Sequence, residues 1–182
     1  LETVRALEPR PAFVYASSSS VYGRNAKTPF AVSDRTDHPV SLYAATKKSG
    51  ELLAESYAAM YGIQATGLRF FTVYGPWGRP DMAYYSFTDA ILAGKPIPVF
   101  NQGALERDFT YIDDIVTGVL AALDLRPDSS RLHRVYNLGN NRAEPISRFL
   151  EPIEKAIGKK AVIRYDTMQP GEVQPSRPHL GD

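Results

Sequence analysis

The sequence predicts an α/β protein built on a parallel sheet, with a smaller α/β lobe beside it. Apolar runs of strand length alternate with longer segments of helical spacing, and glycines at 62, 94 and 158 close those segments. The elements beyond Tyr74 are shorter and less regular, which points to the second lobe. Leu1, Val4 and Leu7 keep helical spacing. The chain is therefore expected to open partway through a surface helix and to belong to a longer protein. Residues 12–17, AFVYAS, follow Pro11 and read as a buried strand. The Ser-, Pro-, Asp- and Thr-rich stretch 18–40 reads as a loop. Residues 41–61 combine Ala, Leu, Lys and Glu between a capping Ser41 and Gly62, and predict a long helix. Residues 63–71 read as the next strand, followed by the turn-rich YGPWGRPD. Helices are then expected at 82–93, 113–123 and 147–157. Strands are expected at 97–100, 108–111, 135–138 and 161–165.

Composition narrows the function classes. Hydrophobic residues make up 43% and charged residues 23%, with a formal net charge of +1 and both signs interspersed. No basic block marks a nucleic-acid partner, and no apolar run approaches a membrane span. There is no cysteine, which removes disulfides, thiolate metal sites and a thiol nucleophile, and agrees with a reducing, cytoplasmic setting. His38, His133 and His179 lie too far apart for a local metal motif, so no metal is expected.

The chemistry concentrates in YAATK. Tyr43 and Lys47 are four residues apart on the predicted helix, hence on one face. An ammonium beside a phenol favours the phenolate and prepares it for general acid-base work near neutral pH. Most such pairs are ordinary helix surface, so context decides. Upstream, the buried strand runs straight into Ser17, Ser18, Ser19 and Ser20, then Val-Tyr-Gly. Ligands of open parallel sheets bind beyond the carboxyl ends of strands, where such hydroxyls orient a substrate. A flexible serine loop is the plainer reading, and it leaves the abrupt junction unexplained. Downstream, LRFFTVYGPWGRPD repeats the design, with Thr72 after the strand and Arg79 in the loop. Arg107, in RDFTYIDD, stands where a loop becomes a strand. It suits a phosphate or, more simply, an ion pair with Asp108 or Asp113.

Taken together, YASSSSVYG, SLYAATKKSGELLAESY, GLRFFTVYGPWGRPDMA, GKPIPVFNQG, RDFTYIDDIVTGV and YNLGN resemble the extended short-chain dehydrogenase/reductase family. The stretch around Thr72 is similar to its UDP-glucuronate 4-epimerase subgroup. The resemblance implies a partial Rossmann-like fold. Residues 1–75 would be the C-terminal part of the NAD-binding domain. Residues 76–182 would be mainly a nucleotide-sugar lobe, with 107–140 returning to the Rossmann sheet. It implies NAD as cofactor, a UDP-sugar as substrate, and a homodimer through the Tyr43 helix and the helix before the serine strand. Leu53, Tyr57 and Tyr61 would face the partner.

The same resemblance assigns roles by position. Tyr43 matches the catalytic base, Lys47 the lysine on the nicotinamide ribose, and Ser18 the catalytic hydroxyl. Ala16, Ser17, Phe70 and Val73 match contacts to the nicotinamide end of NAD. Arg107 matches an arginine on the diphosphate, Phe100 a residue packing on uracil, and Glu172 a position on the uridine ribose. Dehydratases carry an Asp-Glu pair after the catalytic hydroxyl, and decarboxylases carry Glu at the second of those positions. Here these are Ser19 and Ser20, which with Thr72 and Arg79 suit a sugar carboxylate and favour 4-epimerisation. UDP-glucuronate decarboxylation and dTDP-glucose 4,6-dehydration stay open, as does an inactive or UDP-sugar-binding module. The glycine-rich pyrophosphate fingerprint of the family, G-x-x-G-x-x-G, does not occur in these 182 residues.

Overall fold

The computed structural model describes residues 1–100, 106–125, 128–166 and 178–179. Its central sheet has three parallel strands in the order β1 (Phe13–Ser18), β2 (Ala65–Phe70), β6 (His133–Leu138). β2 lies in the middle and is buried along nearly its whole length, as expected of a parallel strand covered on both faces. Gly67 is required there. A Cβ at that position would come 2.5 Å from the Tyr15 hydroxyl, which reaches across β2 to His133 Nε2 at 2.8 Å. His133 Nδ1 in turn meets Glu55 Oε2 at 2.6 Å, so one polar chain ties β1 and β6 to the long helix.

That helix, α2 (Leu42–Tyr61), begins as the sequence predicts. The Ser41 hydroxyl accepts from Ala44 N at 3.1 Å, and Gly62 ends it in the left-handed conformation. Its buried residues are Ala44, Glu51, Ala54 and Ala58. Three of the four are alanine, so the helix lies close on the sheet. A short helix, α1 (Glu2–Ala6), precedes β1 where the Leu-Val-Leu spacing predicts one.

β2 does not stop at its end but bends. The Phe71 amide donates to Leu138 O at 3.2 Å, while its ring is buried with Val21, Tyr22 and Phe30. The chain resumes as β3 (Thr72–Tyr74), which leaves the central sheet and pairs in parallel with β5 (Glu106–Tyr111). β7 (Ala143–Pro145) adds to β5 antiparallel. The expectation that 107–140 returns to the Rossmann sheet is therefore corrected in part. β6 does return, and α4 (Ile112–Leu123) packs against β1. β5 instead builds a separate sheet, because the bend at Phe71 presents β3 as a new edge. Asp108, fully buried, then fastens β5 to the turn before β7. Its carboxylate accepts from Asn140 N and Arg142 N, both at 2.7 Å, and from the Thr110 hydroxyl at 3.0 Å.

The small lobe comprises α3 (Ala83–Ala93), β4 (Pro96–Phe100), α5 (Ser147–Ile157) and β8 (Val162–Asp166), with β4 and β8 parallel. Its core is Phe87, Ile91, Ile97, Val99 and Leu150, with Ile153 and Ile157 against them. No described helix is long and apolar enough to cross a membrane.

Candidate functional site

Two strand ends and one helix N-terminus meet at the carboxyl edge of the central sheet. A cavity of about 350 Å³ opens there. Ala16, Ser17 and Ser18 from β1, Phe70 from β2, Val73 from β3, Tyr43 and Lys47 from α2, and Arg79 from the following loop all line it. The structure thus brings together most of the residues singled out from sequence. Helix α2 presents Tyr43 in its first turn, half exposed, with Lys47 one turn later. The Lys47 ammonium donates to Ala16 O at 3.0 Å and lies 5.7 Å from the centre of the Tyr43 ring. Held by the end of β1, it sits beside the phenol. Ser18 caps the 3-10 turn Ser19–Tyr22, its hydroxyl accepting from Ser20 N at 3.2 Å.

Some expected residues sit differently. Ser17 lines the cavity, but its hydroxyl donates to Glu51 Oε1 at 2.7 Å. Ser19, Ser20 and Thr72 are not on the cavity wall, although Ser19 and Thr72 each adjoin a residue that is, and Ser20 N donates to Ser18. Ser20 Oγ is the only buried side-chain polar atom among the described residues without a hydrogen-bond partner. Arg79 pairs with Asp81, with Nε at 3.0 Å from Oδ1. Arg107 stands opposite Glu144 in the β5–β7 ladder and donates to Glu106 O at 2.9 Å, while the Asp108 carboxylate is taken up by the turn before β7. Phe100 ends β4. Glu172 lies outside the described residues.

Several wall residues escaped the sequence reading. Tyr74, Trp77, Met82, Tyr84, Ile112 and Ile115 complete the cavity. Trp77 is fully exposed and has φ 64, which for a non-glycine residue costs about 1–3 kcal/mol. Gly75, two residues earlier, is also required by its backbone. That residue has φ 141, and a Cβ on it would come 2.5 Å from Ile112 Cγ2. A second cavity, about 560 Å³, adjoins the first at Tyr74, Gly75 and Tyr84. Arg142 and Arg148 line it and both pair with Glu144, at 2.7 and 2.6 Å.

The most heavily bonded group beside the site is also new. Glu51, one turn beyond Lys47, accepts from Arg69 Nε at 2.8 Å, Arg69 Nη2 at 2.9 Å and Lys48 Nζ at 3.1 Å, besides Ser17. Burial alone would raise its pKa. The bonds from Arg69 and Ser17 and the Arg69 charge outweigh burial and hold the carboxyl at about 2. Two signals pointed there: Glu51 continues the four-residue spacing of Tyr43 and Lys47, and an arginine inside the apolar run GLRFF requires a buried partner.

Residues 1–139 match the family described as NAD dependent epimerase/dehydratase. UDP-glucuronate 4-epimerase 5 of Arabidopsis thaliana is 54% identical over 173 residues, covering 88% of this chain and 40% of that protein. Protein CapI of Staphylococcus aureus is 49% identical, covering 93% of this chain and 55% of that protein. A crystal structure of UDP-glucuronic acid 4-epimerase from Bacillus cereus with UDP-glucuronic acid and NAD superposes with a TM-score of 0.89 at 34% identity, covering 98% of this chain and 55% of that one. The chain thus spans about half the length of the relatives it matches.

Proposed function

This chain belongs to the NAD-dependent epimerase/dehydratase family, and we propose that the protein carrying it is a cytoplasmic UDP-glucuronate 4-epimerase. The observation that carries this reading is the convergence of Tyr43, Lys47 and Ser18 on one cavity at the carboxyl ends of the parallel strands. The cavity fits the nicotinamide end of NAD. Ala16, Phe70 and Val73 offer apolar wall, and Lys47 offers an ammonium for a ribose hydroxyl. The chemistry supplied by bound NAD is reversible: C4 of the sugar is oxidised to a ketone and then reduced on its other face. Tyr43, as phenolate, takes the proton of the sugar 4-hydroxyl and later returns it. Lys47, fixed by Ala16 O, stands beside that phenol. Ser18, whose oxygen accepts from Ser20 N, has its own proton free to donate to the 4-oxygen. Arg107 is assigned to the diphosphate, next to the cavity that Glu144 lines.

The substrate carboxylate is assigned to Ser19, Ser20, Thr72 and Arg79. A C5 carboxylate next to a C4 ketone leaves readily as CO₂ unless its bond is held out of line with the ketone. Ser19 and Thr72 directly adjoin wall residues, and the buried Ser20 hydroxyl behind that wall has no hydrogen-bond partner of its own. Arg79 would exchange Asp81 for the substrate. With UDP-glucuronate and NAD, the full-length protein is expected to give UDP-galacturonate with little UDP-pentose, measured by NMR of the products. Thr72→Ala removes one bond of about 1.5–3 kcal/mol and should shift the partition toward pentose about tenfold or more. A wild type that yields mainly UDP-pentose would make the protein a decarboxylase. One that binds UDP-glucuronate without turnover would make it a binding module.

We also propose a homodimer through α1 and α2. Tyr57 and Tyr61 are engaged within the chain, by Glu2 and by Arg5 at 4.8 Å from the Tyr61 ring. The apolar surface left for a partner is Leu52, Leu53 and Met60, all exposed. Light scattering of the full-length protein is expected to give twice the chain mass. A monomer at micromolar concentration would remove the dimer.

A further inference from the structure

The buried ion pair Glu51–Arg69 belongs to neither cavity wall, yet it touches every element that carries the candidate catalytic groups. Its two charged side chains are 3% and 4% exposed, so a purely stabilising role is a poor account: an apolar pair of the same volume usually stabilises as well or better. The geometry offers another account. Helix α2 bears Tyr43, Lys47 and Glu51 on one stripe, four residues apart. The last two are fastened to consecutive residues at the end of β1, Lys47 to Ala16 O at 3.0 Å and Glu51 to the Ser17 hydroxyl at 2.7 Å. The next residue is Ser18. From Glu51 the network continues through both sides of the Arg69 guanidinium, on β2, to the Tyr22 hydroxyl at 3.0 Å. Tyr22 then donates to Asn137, on β6, at 2.6 Å. Tyr22 closes the 3-10 turn that Ser18 caps.

We propose that Glu51 and Arg69 are positioning residues for the reaction, with Ser17 as the link through which they act. The pair fixes the height of α2 against the end of β1, and so the separation of the Tyr43 phenol from Ser18 and of Lys47 from Tyr43. Arg69 fixes the same turn from its other side through Tyr22. Distance between reacting groups is where such a device acts, since a misplacement of about 1 Å costs on the order of a hundredfold in rate. The proposal rests on Tyr43 and Ser18 being the catalytic groups.

Ser17→Ala is the sharpest probe. It cuts the link and leaves both Arg69–Glu51 bonds and the Lys48–Glu51 bond in place. In the full-length protein, with UDP-glucuronate and NAD, kcat is expected to fall about ten- to a hundredfold, KM to stay within about twofold, and the melting temperature to change little. Glu51→Gln should show the same kinetic pattern with a lower melting temperature. If Glu51→Gln fails to fold, Ser17→Ala decides alone. Folded variants with wild-type kcat and KM, alongside an inactive Tyr43→Phe, would overturn the positioning role and leave the catalytic assignment standing. A Tyr43→Phe protein as active as wild type would remove the catalytic assignment, and this proposal with it.

Discussion

Tyr43→Phe in the full-length protein is expected to lower kcat by about 10²–10⁴-fold, the usual worth of a positioned acid-base group. KM should change little, because the phenol acts on a proton that moves only in the transition state. The geometry supports a loss at the larger end. Tyr43 is in the first turn of a capped helix, so the backbone that carries it is ordered. Lys47 is tied to Ala16 O beside the Tyr43 ring. Ser18 does not replace the phenol: its oxygen accepts the Ser20 amide, and a serine hydroxyl is a far weaker acid. Phenylalanine preserves ring and packing, so the protein should fold and melt as wild type. Steady-state kinetics with UDP-glucuronate provide the measurement. Turnover within a few-fold of wild type would end Tyr43's assignment as the base.

The parts of this site that could be read from the sequence are those made by local rules. Ser41, Gly62 and the alanine-rich stretch between them specify α2 at both ends, and the Tyr43–Lys47 spacing follows from helix geometry alone. The end of β1 was legible because an apolar run meets four serines, although the strand runs on through Ser17 and Ser18 and only Ser17 in it is buried, not the whole run as expected. What escaped is long-range. β3 and β7 have three residues each, too few to show a period, and exist because β5 lies between them. The Ser17 hydroxyl was expected at the cofactor, but an acceptor 34 residues later in the chain claims it. Glu51 was not singled out, because its partner Arg69 lies 18 residues later, on β2. Trp77 owes its cavity position to a left-handed backbone that spacing does not announce.

Arg69→Ala is expected to destabilise the fold by about 3–5 kcal/mol at neutral pH, the usual cost of leaving one member of a buried ion pair behind. Glu51 would keep only Ser17 and Lys48, and the Tyr22 and Val32 oxygens would lose a donor. Removing both charges should hurt less than removing one. Glu51→Gln/Arg69→Met is therefore expected to be more stable than Arg69→Ala, a non-additivity natural to groups in contact. The pH dependence has a definite sign. In the folded wild type the Glu51 carboxyl is held at about 2, below its ordinary 4.5. A depressed carboxyl contributes its stability above the ordinary value and loses it as pH falls from there toward the folded one. Without Arg69, burial becomes the dominant influence and Glu51 protonates readily, so the variant loses nothing in that window. The gap between wild type and Arg69→Ala should thus be widest near neutrality and narrow steadily from about pH 4.5 toward 2. Denaturant melts of both proteins across that range measure it. A gap that stays constant, or widens on acidification, would mean that the carboxylate is not what Arg69 compensates.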